Sequence, residues 1–78
     1  MPSLRTLSGR QIRAILEANG FYFVSQKGSH MKMRFTIENE DKTTTTYTAI
    51  VPDHKDVPIG TLQNIIRQSG LGRGPFEA

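Results

Sequence analysis

The stretch Lys27-Gly28-Ser29-His30-Met31-Lys32-Met33-Arg34-Phe35-Thr36-Ile37-Glu38 decides the fold. From His30 to Glu38 it alternates without a break. Met31, Met33, Phe35 and Ile37 share one face, and His30, Lys32, Arg34, Thr36 and Glu38 share the other. A period of two is the mark of a half-buried strand. Gly28-Ser29 is a turn signal, so the run is the second arm of a hairpin. The first arm, Phe21 to Lys27, is rich in aromatic and β-branched residues and reads as a strand. On the other side, the polar tip Asn39 to Lys42 leads into Thr43 to Val51, a third strand whose threonine run favours extended backbone. Pro52 ends it, because proline cannot donate to a sheet ladder.

A helix flanks this sheet at each end. Ser8 is a good N-cap with Gln11 three residues later, which makes a capping box. Leu7 and Ile12 bracket the cap as a hydrophobic staple. Ile12, Ile15 and Leu16 line one face, Arg10, Arg13 and Glu17 point away, and Asn19-Gly20 supplies a left-handed stop. After the loop Asp53 to Val57, a second helix begins between Pro58 and Thr61. Ile59, Leu62, Ile65 and Ile66 are its apolar spacing, and Gly70 is its stop, with Leu71 able to fold back onto it. From Gly72 to Ala78 there is no period, so this tail is expected to be mobile. The order is αβββα. The expected α+β architecture is a three-stranded antiparallel sheet with both helices on its apolar face and the other face open to solvent.

Size and composition narrow the chemistry. The chain is read as a single domain spanning residues 1–78, and a core this thin leaves little room for a deep cavity. With 10 Lys+Arg against 7 Asp+Glu the net charge is +3, which permits an acidic partner without requiring one. There is no cysteine, which excludes disulfides, thiolate catalysis and cysteine-ligated zinc. No apolar run is long enough to span a membrane, and Met1 to Arg5 has no signal-type apolar stretch. The expected setting is the cytoplasm.

The segment from Lys27 to Arg34 holds three cationic side chains, one imidazole and no acid, while Glu38, Glu40 and Asp41 gather at the far hairpin. Strand geometry spaces His30, Lys32 and Arg34 by about 6.5–7 Å. A basic row beside an imidazole, which titrates near neutrality, suits phosphodiester cleavage. Alternating basic residues on an outer strand face are also commonly just a solvated face. His54 has two readings, a loop residue bonded to the backbone or a second proton carrier. Two histidines without cysteine or HExxH spacing give no recognisable metal set, and no cofactor is expected. Asp53 and Asp56 read as turn and cap formers. Ser29 and His30 are not a nucleophile–base pair, because adjacent strand residues point to opposite faces. Gly70-Leu-Gly-Arg-Gly-Pro75 lacks the GK[ST] ending of a phosphate loop.

Six segments occur in order: Ser8-Gly9-Arg10, Asn19-Gly20-Phe21, Gln26-Lys27-Gly28-Ser29-His30, Val51-Pro52-Asp53-His54, Gly60-Thr61-Leu62, and Ile65-Ile66-Arg67-Gln68-Ser69-Gly70-Leu71. Together they resemble the HicA-type (YcfA-like) mRNA interferase toxins over nearly the whole chain, from about Leu7 to about Gly72. The specific part is the GSH motif combined with GTLxxIIRQxGL. The resemblance implies a double-stranded-RNA-binding-domain-like fold, translation-independent cleavage of mRNA as the toxin of a type II toxin–antitoxin system, and a HicB-type antitoxin partner. With no recognisable metal set in the sequence, that cleavage is expected to need no metal. It implies that His30 is catalytic. Lys27, Gly28, Ser29, Lys32 and Arg34 are the candidate RNA-binding residues beside it. Two other readings fit the same residues: a non-catalytic RNA-binding module, or a protein-interaction domain with a basic face.

Overall fold

In the computed structural model, which describes residues 3–77, helix α1 (Gly9–Ala18) begins at the capping box. The Ser8 hydroxyl accepts from the Gln11 N–H at 3.0 Å, and the Gln11 side chain accepts from the Ser8 N–H at 2.9 Å. Two of the N–H groups left orphaned at a helix start are thereby satisfied. Leu7 and Ile12 are both buried, as a staple requires. Gly20, at φ +97, ends the helix, and the Phe35 ring lies where a side chain at Gly20 would go.

Strands β1 (Tyr22–Lys27), β2 (His30–Glu38) and β3 (Thr44–Pro52) form one antiparallel sheet with β2 in the centre. Met31 lies opposite Val51 and Met33 opposite Ala49, and all four are buried. Above them sit Ile12 and Leu16 of α1 and Leu62, Ile65 and Ile66 of α2 (Ile59–Ser69), in one continuous core. The thinnest dimension is 19 Å, which is one helix layer on one sheet. The molecule is thus the α+β, double-stranded-RNA-binding-domain-like arrangement the sequence implies. At the β2–β3 tip, the Thr43 hydroxyl and then its N–H donate to Asp41, holding that carboxyl below the usual carboxylate range.

Three features depart from the sequence pattern. Ile37 belongs to the core face but is 39% exposed, because the two-helix layer does not cover the far end of β2. The first strand begins at Tyr22, since Phe21 turns into the core and stacks at 5.5 Å on Phe35. The segment after Gly72 is tied down as far as Glu77, Ala78 lying outside the described residues. Gly74–Phe76 forms a 3-10 turn, Phe76 is buried, and Leu4 bridges to Glu77. A lone aromatic after a Gly-Pro turn carries no period, so periodicity could not find it.

Gly9 is a close-approach glycine. Its N–H donates to the His54 carbonyl at 2.8 Å, and a β-carbon there would collide with the Pro52 carbonyl oxygen. This contact pins the start of α1 to the loop after β3. Gly9→Ala is expected to cost about 1–3 kcal/mol through overpacking. Phe76→Ala is expected to cost about 3–5 kcal/mol through the cavity it leaves. Denaturant midpoints of the two variants check both values, and an unchanged midpoint for Phe76→Ala would mean that the tail does not belong to the core.

Candidate active site on the open sheet face

The tight turn that delivers His30 joins β1 to β2 through only Gly28 and Ser29, with Lys27 paired to His30. Gly28 has φ +59, and Ser29 is not among the positive-φ residues. A glycine at the first central position alone marks a type II′ turn, whose twist matches that of the flanking strands. A β-carbon on Gly28 would meet nothing within 4 Å, so the glycine is needed for its dihedral angle and not for space. The Ser29 carbonyl accepts from the Asp53 N–H at 2.6 Å, which ties the turn to the end of β3. His30 is exposed as the first residue of β2, with Pro52 as its cross-strand partner.

From His30 the open face runs through Lys32, Arg34, Thr36 and Glu38. On β1 the same face carries Lys27 opposite His30 and Ser25 opposite Lys32; on β3 it carries Ile50, Thr48 and Thr46. The charges of α1 and of the open face are arranged differently. On the helix side, Arg10 pairs with Asp53 at 3.4 Å and Arg13 with Glu17 at 3.6 Å. Among the described residues, Lys27, Lys32 and Arg34 have no acidic partner within ion-pair distance. The Arg34 Nε is enclosed with no hydrogen-bond partner. Lys27 is exposed and Lys32 and Arg34 are partly exposed; cations with no internal counter-ion can take an anionic ligand, and an unpaired row attracts one more strongly than a neutralised one.

The structure therefore brings Lys27, His30, Lys32 and Arg34 onto one face, with Gly28 and Ser29 shaping the turn beneath. His54 stands two residues past Pro52, at the same end of the sheet as His30, with its side chain exposed. Its carbonyl anchors Gly9. That bond is made by the His54 backbone and not by its imidazole. Asp53 is the partner of Arg10 and also accepts from Gln26 at 3.4 Å. The motif from Gly60 to Leu71 serves the core: Leu62, Ile65, Ile66 and Ser69 are buried, and the Ser69 hydroxyl closes the helix end by donating to the Ile66 carbonyl.

A half-open depression of about 400 Å³ lies on the helix side, lined by Arg10, Arg13, Glu17, Gln26, Met31 and Asp53. His30 is not part of it, and its two arginines are already paired with acids. Among the described residues, no group of three or more His, Asp or Glu side chains stands together as a metal set. The described helices include none long and apolar enough to cross a membrane. Thr48 and Tyr22, both on the open face, were not singled out in the sequence. Thr48 could have been found by carrying the alternation across to β3. Tyr22 could not, because its side of the sheet is set by an irregularity in the pairing of β1.

A family model described as the HicA toxin of bacterial toxin–antitoxin systems matches residues 9–71. The chain belongs to that family. The match runs from the close-approach Gly9 to Leu71 and so covers the turn, the basic row and both helices. Comparison with curated proteins and with solved structures gives no match. In this HicA-family chain the GSH motif is a geometric unit, in which glycine sets the turn, serine holds β3 and histidine opens the basic row. Gly28→Ala is expected to cost about 1–3 kcal/mol from backbone strain alone. Thermal unfolding checks this, and a Gly28→Ala protein as stable as the parent would refute the II′ assignment.

Proposed function

We propose that this HicA-family chain is the toxin of a type II toxin–antitoxin system, an endoribonuclease that cuts mRNA at the open sheet face with His30 as the catalytic residue. The observation that carries the reading is an exposed imidazole heading a row of cations that lack internal partners.

The reaction that suits one imidazole and several cations is transfer of the phosphoryl group to the substrate's own 2′-oxygen. The 2′-oxygen loses its proton and attacks phosphorus, and the bond to the 5′-oxygen breaks. The products are a 2′,3′-cyclic phosphate and a 5′-hydroxyl. His30 either takes the 2′ proton or gives one to the departing 5′-oxygen. The other transfer falls to His54, which lies at the same end of the sheet, or to water. Lys27, Lys32 and Arg34 offset the charge that grows on the phosphorane oxygens. These steps need only side chains and the RNA, so the proposed cleavage is metal-independent and uses no cofactor. An open face excludes little water, which limits the gain from these charges and makes turnover modest.

The same row suits the partner. An acidic antitoxin of the HicB type would cover His30 and neutralise Lys27, Lys32 and Arg34, with the cytoplasm as the setting for toxin, antitoxin and mRNA.

The test is RNA cleavage in the presence of EDTA. The parent protein is expected to cut, and His30→Ala is expected to lose about a hundredfold or more of the rate. Its stability should change by less than about 0.5 kcal/mol, because the side chain is exposed. A folded His30→Ala protein that cuts at the parent rate would refute the assignment. Charge removal should act on binding instead. Lys32→Gln and Arg34→Gln are each expected to lower the salt dependence of RNA affinity by about 0.7 in log–log slope. Arg10→Gln, which removes a cation already paired with Asp53, should change it less. Equal changes for all three would show that the basic row has no special part in binding.

A further inference from the structure

The register of β1 places an aromatic residue on the active face that strand alternation alone would have put on the other side. Lys27 pairs with His30 and Ser25 with Lys32, which sets both on the open face. Five residues separate Tyr22 from Lys27, and in a regular strand an odd separation means opposite faces. The pairing shifts between Phe23 and Ser25, so that Val24 is an extra residue. Phe23 consequently pairs with the buried Met33, and Tyr22 pairs with Arg34. Phe23 lies on the helix side, where the Arg13 guanidinium sits 4.3 Å above its ring. Tyr22 lies on the His30 side and is half exposed. Bulges of this kind re-aim side chains and are over-represented beside active sites.

We propose that Tyr22 is a stacking site for one unpaired base of single-stranded RNA, about two nucleotides from the phosphate held at His30. The proposal rests on the ribonuclease reading and adds the form of RNA that the face accepts.

Three observations support it. Tyr22, Arg34 and Thr48 form one cross-strand line on the open face, with neighbours about 4.5–5.5 Å apart. A base on the tyrosine ring would therefore carry its own phosphate next to Arg34, a cation with no acidic partner among the described residues. Four residues separate His30 from Arg34, or about 13 Å along the strand, which is two steps of the basic row. A ring that stacks on a base needs that base out of a duplex, and exposed aromatic residues on a sheet face serve single-stranded RNA in this way. An edge tyrosine that merely shields the stem of Arg34 would influence stability and leave RNA binding unchanged.

The experiment uses an RNA whose cut site has been mapped with the parent protein. A 2′-O-methyl group at the scissile nucleotide blocks attack, and 2-aminopurine is moved one position at a time along the strand. The largest change in 2-aminopurine emission on binding is expected two nucleotides from the blocked linkage. Tyr22→Leu should abolish that change and weaken affinity by roughly 5- to 150-fold, the range for loss of one base–aromatic stack. Tyr22→Phe keeps the ring and should retain both. A folded Tyr22→Leu protein with parental affinity and an unaltered emission profile would overturn the stacking site while leaving His30 catalysis in place. A parent protein that cuts no RNA would overturn the ribonuclease reading itself.

Discussion

The burial of Met31 and Met33 under the two helices is the constraint on which the site depends. Both side chains are almost wholly withdrawn from solvent at the centre of the sheet, opposite Val51 and Ala49. A slip of one residue would drive Lys32 into the core and expose both methionines, at a cost of several kcal/mol for the unpaired charge alone. The positions of His30, Lys32 and Arg34 on the outer face therefore follow from packing on the inner one. Two further contacts fix the end of the strand where His30 stands. The II′ turn at Gly28-Ser29 sets the first hairpin, and the bond from Asp53 N–H to the Ser29 carbonyl closes it against β3. A proposed catalytic group needs this kind of support where, like His30, it is exposed.

Helix α1 and the open face differ in how their cations are paired. The arginines of α1 have carboxylates to meet, and such exposed pairs contribute little to stability. The cations of the open face have none among the described residues. With net charge only +3, an anionic ligand gains less from the molecule as a whole than from this local row of cations. Under the proposed function, RNA and an acidic antitoxin would compete for the same unpaired charges.

Most of the fold was legible in the sequence because its signals are local. The capping box at Ser8 and Gln11, the stop at Gly20 and the alternation of β2 each need only a few adjacent residues, and the structure has each in its expected place. The face bearing His30 followed directly from that alternation. What escaped depends on tertiary context. Gly9 looks like any residue of a first helical turn until Pro52 is seen against it. Phe76 has no periodic neighbours to announce its burial, and Ile37 has the right period but no helix above it. Tyr22 was hidden for a sharper reason. One extra residue at Val24 inverts the parity of everything before it, and no turn residue marks the bulge.

One chemical claim is central: the open face cuts RNA by proton transfer through His30, with the substrate's own 2′-oxygen as nucleophile. The ends of the cleaved RNA report on it directly. RNA cut by the purified parent protein in EDTA should carry 2′,3′-cyclic phosphate on one fragment and a 5′-hydroxyl on the other, as read by mass spectrometry of the products. Fragments bearing a 3′-hydroxyl and a 5′-phosphate would contradict it, because water or another external nucleophile would then have attacked in place of the 2′-oxygen.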